Sequence, residues 1–233
     1  MDFNDNAEEA AFRRKAREWL AANAPAHELP HNTVLSDSEQ VSRAKAWQRC
    51  LYDAGYAGIT FPKALGGRGG SAMEALIFRD EEAVYRLPKG PYISIGLGMA
   101  IQVIAKHGSD EQRARLIEPT LRGDLTWCQL FSEPAAGSDL ANLRTKAVRD
   151  GDDWIVNGQK LWSSWAHEAD WGILVARTDP SLPKHKGLTF FVVPMASPGI
   201  DIRPIKQISG AADFNETFFS DVRIADANRI GRT

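Results

Sequence analysis

Two short blocks hold the residues whose types and spacing could do chemistry. The first runs from Trp127 to Asp139 and reads Trp-Cys-Gln-Leu-Phe-Ser-Glu-Pro-Ala-Ala-Gly-Ser-Asp. Trp127 to Phe131 is aromatic and aliphatic with few polar interruptions, which predicts a strand. Pro134 stops it, because proline offers a ladder no donor. Small residues follow at Ala135, Ala136, Gly137 and Ser138. Such residues let a backbone approach a ligand closely, and successive turn amides can hold an anion. A flat apolar wall beside a small-residue polar loop suits a cofactor with a planar ring and a phosphate tail. The second block is Asn157 to Ser164, Asn-Gly-Gln-Lys-Leu-Trp-Ser-Ser, where Trp162 offers a large flat face beside two hydroxyls. On composition alone, a core strand, an ordinary turn and a core tryptophan are the commoner outcomes for such pieces.

Other chemistries find little support. Of the five histidines, only His27 and His31 lie close together, and Pro30 between them argues against a helix face presenting both to a metal. There is no Gly-x-Ser-x-Gly elbow, and no serine or cysteine stands out as a nucleophile beside a histidine. The glycines at 66, 67, 69 and 70 are not a dinucleotide fingerprint, since no strand precedes them and Arg68 interrupts the pattern. Cys50 and Cys128 fall in different predicted elements and suggest no disulfide framework, which fits a reducing, cytoplasmic setting.

Composition sets the outer bounds. The 233 residues are 43% hydrophobic and 25% charged, an ordinary globular balance with ample chain for a core. A net charge of −2 gives no surface for nucleic acid or anionic membrane. Asp2, Asp5, Glu8 and Glu9 replace the apolar segment of a secretory signal. No apolar run approaches the ~20 residues a bilayer span needs, so no membrane insertion is expected.

The elements that must position the two blocks change character along the chain. Residues 7–23 predict a helix with Asn6 as N-cap and Phe12, Ala16, Trp19 and Leu20 on one face. A second helix starts at Ser36, in capping-box spacing with Glu39, and carries Val41, Ala44, Trp47 and Leu51, with Gly55 at its C′ position. Residues 56–70 read as a flexible connection. A third helix runs from Ser71, paired with Glu74, to about Arg86. Tyr92 to Lys106 is apolar all round and predicts a buried central helix that Gly96 and Gly98 weaken by about 1 kcal/mol each. Those glycines serve either close helix packing or room for a substrate. A fifth helix begins at Ser109, with Gln112 at capping-box distance, and Pro119 should kink or end it.

From Trp127 strands take over. Arg144 to Arg149, Trp154 to Trp162, Trp171 to Arg177, Leu188 to Val193, Ile200 to Ile205 and Glu216 to Ile224 are candidates, with a hairpin signal at Asp150-Gly151-Asp152. Asn157-Gly158 is either a second tight turn or a bulge. Helices followed by about seven short strands predict an α+β chain: an all-α domain over 1–123, then an antiparallel β-barrel or sandwich over 124–233.

Ser132-Glu133-Pro134-Ala135-Ala136-Gly137-Ser138-Asp139 resembles the acyl-CoA dehydrogenase signature, usually Thr or Ser followed by Glu-Pro-Gly-Ala-Gly-Ser-Asp. Asn157 to Ser164 resembles that family's Asn-Gly-x-Lys-x-Trp-Ile-Thr-Asn segment, in the family's order and at about its spacing. Phe218 to Ile224 is a third, weaker match. The resemblance implies FAD as cofactor and acyl-CoA as substrate. It places Trp162 against the flavin ring and Ser164 near flavin N5. Gln129, Phe131 and Ser132 match positions on the pyrimidine edge and ring, with Leu130 and Ser163 in the same two blocks. Ser138 matches a position on the CoA-thioester portion of the substrate, while Gly137 and Ala136 approach the phosphate region. Gln129 replaces a frequent aromatic, Ser164 a frequent threonine, and Ala135 a frequent glycine, which restricts φ there.

The implied reaction is α,β-dehydrogenation: a carboxylate takes the α-proton, the β-hydrogen passes to the flavin, and hydrogen bonds to the thioester carbonyl stabilise the developing charge. In the family that carboxylate is a glutamate of a C-terminal helical domain, and no position in these 233 residues matches it. The resemblance gives Glu133 a structural place, so it is not nominated as the base. The resemblance therefore implies a fragment that binds FAD weakly and does not turn over. It also implies a homo- or hetero-oligomer that passes electrons to an electron-transfer flavoprotein or a similar acceptor. Three rivals accompany this reading: a non-catalytic flavin-binding subunit of a hetero-oligomer, an acyl-CoA oxidase or flavin monooxygenase on the same scaffold, and a two-domain interaction module with no cofactor.

Overall fold

The computed structural model describes residues 5–31 and 34–231. Asp2, which entered the reading of the N-terminal segment, lies outside the described residues. Two compact units emerge, Met1–Gly90 with Ile117–Asp124, and Pro91–Leu116 with Leu125–Thr233. No described helix is long and apolar enough to cross a membrane.

The first unit is helical, and its helices begin where side chains can satisfy orphan backbone amides. Asn6, Ser36 and Ser71 cap α1 (Ala7–Asn23), α2 (Asp37–Asp53) and α3 (Ala72–Glu82), and each closes a full capping box with Glu9, Glu39 or Glu74. The predicted stripes face inward: Phe12, Ala16, Leu20, Trp47, Leu51, Ile77 and Phe78 share one core. Replacing Ser71 by alanine is expected to cost about 1 kcal/mol, seen as a lower urea midpoint at unchanged m-value.

Two local expectations in this unit need correcting. Residues 56–70 are not a loose connection. Phe61 and Arg68 donate to the Gly58 carbonyl, Gly69 to Phe61 and Gly70 to Ile59, at 2.7–3.2 Å. A Cβ on Gly67 would strike the Phe61 carbonyl, so glycine there lets the loop fold onto itself. The other correction is α3, which stops at Glu82 rather than Arg86.

The second unit begins with α4 (Pro91–Ile95), a π-helical turn at Gly96–Ala100, and α5 (Ile101–His107). This stretch is buried on one side only. Tyr92, Ile95, Ala100, Ile101 and Ile104 face the core, whereas Ser94, Gly98 and Gln102 are exposed. The all-round apolar pattern therefore overstated its burial. Gly96 is buried, and a Cβ on Gly98 would meet nothing within 4 Å, so close packing does not explain the second glycine. α6 (Asp110–Leu121) starts with reciprocal bonds between Ser109 and Gln112. Pro119 lies inside the helix, which continues to Leu121. The division between the two units falls within this helix.

Among the described residues the sheet has eight strands: β1 (Trp127–Leu130), β2 (Lys146–Asp150), β3 (Asp153–Ser164), β4 (Trp171–Arg177), β5 (Leu188–Pro194), β6 (Ile200–Ile205), β7 (Phe214–Ala225) and β8 (Arg229–Ile230). Their order is β6-β7-β3-β2-β4-β5-β8, with β1 beside β4. The path has two ends, so the sheet is open rather than a closed barrel. Hairpin-linked neighbours pair antiparallel, as expected for tight connections. The pairings β1·β4 and β2·β4 are parallel, because the chain leaves β1 and β2 by longer routes before returning as β4. At Asn157-Gly158 the β3·β7 register slips, so this dipeptide is a bulge and not a turn. Leu130, Val156, Leu174, Phe191, Val193 and Val222 are among the residues of the core on this sheet.

Candidate functional site: a bulged strand beside a small-residue loop

Backbone and buried charge join the two blocks directly. Leu161 N–H donates to the Ser132 carbonyl at 2.8 Å. Next to it, the fully buried Lys160 ammonium donates to Glu133 Oε1 at 2.8 Å, the Phe131 carbonyl at 3.0 Å and the Val175 carbonyl at 2.8 Å. Glu133 also accepts from the backbone amides of Arg144, at 2.6 Å, and Thr145, at 2.9 Å. Burial pushes the Glu133 carboxyl up, but the Lys160 bond and charge and the Thr145 and Arg144 bonds outweigh it and hold the group below the usual carboxylate range. Every partner of Glu133 is structural. This carboxylate closes the loop after β1 and is not poised to take a proton from a substrate.

The strand then breaks its register. Between Lys160 and Ser163 the β3·β7 pairing slips again, and Trp162 sits in the left-handed region at φ 61° with 56% of its surface exposed. A bulky L-residue there costs on the order of 1–2 kcal/mol, and an exposed indole forgoes burial as well. An outlier of this kind points toward a function that keeps it. The Trp162 ring meets the Phe214 ring edge-on, centroids 6.0 Å apart at 88°, which leaves indole surface open. Ser164 beside it is half-buried, whereas Ser163 turns inward and its hydroxyl is buried without a hydrogen-bond partner among the described residues.

On the other block, Gln129, Phe131 and Ser132 are half-buried, and Phe131 packs edge-on against Phe190 at 6.1 Å. Leu130 is fully buried, so only its backbone could meet a ligand. Glu133 and Ala136 form a two-way backbone bridge, 2.9 and 3.1 Å, which lifts Ala135, Gly137 and Ser138 into solvent. A Cβ on Gly137 would touch nothing within 4 Å. Packing within the chain therefore does not require glycine there. Asp139 is held by Lys184 at 2.8 and 2.9 Å.

The donor set fits a flavin: an exposed indole for the ring, partly open hydroxyls at Ser132 and Ser164, and an exposed small-residue loop for a phosphate-bearing tail. It does not fit a metal, for no cluster of three or more His, Cys, Asp or Glu residues exists among the described residues. Sequence reasoning did not single out Phe214, Asn215 or the anchoring role of Lys160. Phe214 lies 52 positions from Trp162, and Asn215 lies 52 positions from Ser163, and no local pattern links them.

Comparison with known proteins decides the family. Residues 6–124 match the domain described as acyl-CoA dehydrogenase, N-terminal domain, and residues 128–222 match acyl-CoA dehydrogenase, middle domain. The chain belongs to the acyl-CoA dehydrogenase family. Members of that family are flavoproteins. Acyl-CoA dehydrogenase FadE34 of Mycobacterium tuberculosis is 48% identical over 184 residues, covering 79% of this chain and 26% of that protein. Acyl-CoA dehydrogenase IpdE1 of the same organism is 39% identical over 225 residues, covering 94% and 57%. Among solved structures, the ChsE4-ChsE5 complex of Mycobacterium tuberculosis superposes with a TM-score of 0.82 at 34% identity, covering 100% of this chain and 58% of that one. A structure titled Tcur3481-Tcur3483 steroid ACAD gives 0.82 at 29% identity, covering 100% and 59%. This acyl-CoA dehydrogenase chain thus spans between 26% and 59% of the relatives it matches here.

Proposed function

We propose that this chain provides the N-terminal helical domain, residues 1–123, and the FAD-binding middle domain, residues 124–233, of an enzyme that dehydrogenates an acyl-CoA thioester to the trans-2-enoyl-CoA. The observation that carries the reading is the junction at Leu161 and Ser132. One hydrogen bond of 2.8 Å ties Leu161, next to the exposed, left-handed Trp162, to Ser132, so the two family blocks are neighbours in the fold, which supports a shared flavin site.

In this reading Trp162 forms a wall for the flavin ring, and Ser164, Ser132, Phe131, Ser163, Leu130 and Gln129 surround the ring's polar edge through side chain or backbone. Gly137 lies toward the phosphates, and Ser138 orients the thioester. Bound FAD would supply the two-electron acceptor. As the family resemblance implies, the proton acceptor is proposed to come from a C-terminal helical domain; Glu133 is committed to Lys160 and the loop amides and does not serve. The acyl group is proposed to be bulky, a steroid-derived chain being one candidate, which the relative titled steroid ACAD supports. The working form is proposed to be a cytoplasmic oligomer passing electrons to an electron-transfer flavoprotein or a similar acceptor. A second reading, a flavin-binding subunit that completes a partner's site, is favoured by the ChsE4-ChsE5 and Tcur3481-Tcur3483 pairs.

Titrating the purified chain with FAD, followed by quenching of flavin fluorescence, tests the core of the proposal. Saturable uptake of one FAD per chain is expected, with a rise in unfolding free energy of about 2.7 kcal/mol at a free concentration of 100 times Kd. A chain that takes up no FAD and gains no stability from it would overturn the reading.

A further inference from the structure

The segment from Trp162 to Trp165 is left-handed at both ends, φ 61° and 54°, and Ser163 and Ser164 lie between. Such a segment relaxes unless its surroundings over-determine it. One end is held by the Leu161 bond to Ser132, the other by Trp165 N–H donating to the Asp213 carbonyl at 2.8 Å. The middle is held by Asn215 of β7. This side chain is 0% exposed, and its Nδ2 donates to the Ser163 carbonyl at 2.9 Å. A buried amide needs partners at both ends. The other end, Oδ1, lies 3.0 Å from His167 Nδ1. The Ser163 carbonyl can only accept, so the nitrogen of Asn215 must face it. Oδ1 therefore faces the histidine, and His167 carries a proton on Nδ1. The imidazole also stacks on Trp165, centroids 5.6 Å apart at 21°. The path from Trp165 through His167 and Asn215 to Ser163 thus loops back onto the strained turn.

We infer that Asn215 and His167 are positioning residues: they form a polar strut that fixes the Ser163–Ser164 peptide and thereby aims Trp162 and Ser164 at the flavin. The inference rests on the flavin reading and adds two residues that reading does not use. The bond lands on the carbonyl of the peptide whose nitrogen belongs to Ser164, so losing it frees that peptide to rotate. Rotation turns Ser164 and releases Trp162 from its left-handed conformation. Neither residue needs to touch the cofactor.

The test uses Asn215→Ala, His167→Ala and His167→Asn in the full 233-residue chain. His167 is half-buried in a short turn, so its variants should fold even where Asn215→Ala does not. Amide hydrogen exchange on the flavin-free chain is expected to show protection of Leu161 and Trp165 falling about tenfold in both alanine variants, the change one buried hydrogen bond produces. Protection in α2 should not change. FAD Kd should rise by about the same factor, with an altered flavin absorption band. His167→Asn, which keeps a donor near the Nδ1 position, should restore both. Unchanged protection of Leu161 and Trp165 in both alanine variants overturns the strut. So does a loss that His167→Asn fails to rescue. If the wild-type chain takes up no FAD, the flavin reading falls, and the exchange measurement still decides the strut by itself.

Discussion

Glu133→Ala is expected to destabilise the chain by about 3–5 kcal/mol, the range for stripping one partner from a buried ion pair. Lys160 is 0% exposed and would keep its charge with only the Phe131 and Val175 carbonyls to meet it. The amides of Arg144 and Thr145 would lose their acceptor in the same step. Urea unfolding should show the loss as a lower midpoint. The double variant Glu133→Leu with Lys160→Met should recover most of it, since no buried charge is then left alone. A loss below about 1 kcal/mol in the single variant would show that the pair is solvated in solution. The pH dependence has a definite sign. The folded-state carboxyl lies below its ordinary value, so the unfolded chain binds the proton more readily. The pair's contribution is complete above the ordinary glutamate range and is lost as pH falls through the depressed value. Wild type and Glu133→Gln should therefore differ at pH 7 and converge in acid.

Trp162→Ala should raise the FAD Kd by about 10- to 100-fold while leaving the flavin-free chain as stable as before. The binding estimate combines the ~0.5–1.5 kcal/mol of an aromatic pair with burial of the remaining open indole surface, at 1.4 kcal/mol per tenfold. Stability should hold because the ring is 56% exposed and makes an edge contact to Phe214. Trp162→Gly sharpens the test. Glycine takes φ 61° without steric cost, so this variant should gain up to about 1 kcal/mol in the flavin-free state and still lose FAD. Opposite signs for stability and binding are the mark of a residue kept for its ligand. If both variants bind FAD as wild type does, Trp162 is no platform.

What the sequence determined by itself is local. Asn6 announced its helix as an N-cap, and Ser36, Ser71 and Ser109 announced theirs because a cap and its glutamate or glutamine partner lie three residues apart and need nothing else. The strand limits at Trp171–Arg177 and Ile200–Ile205 were legible for a similar reason: pattern and turn residues are both near neighbours. The two blocks could be read as a pair from their residues and from family resemblance. Tertiary structure decided everything that closes over distance. It made residues 56–70 an ordered loop through backbone bonds that glycines permit but do not announce. It left the sheet open, with β6 and β8 at its two ends, and brought β4 beside β1 and β2 in parallel. Lys160 and Glu133 are 27 positions apart, Asn215 and Ser163 are 52 apart, and their bonds exist only once β1, β3 and β7 have assembled. Local spacing fixes where an element starts and stops, since those energies are settled within a turn of chain. Which buried groups find one another depends on the register between strands distant in sequence, and that register follows from packing the whole sheet.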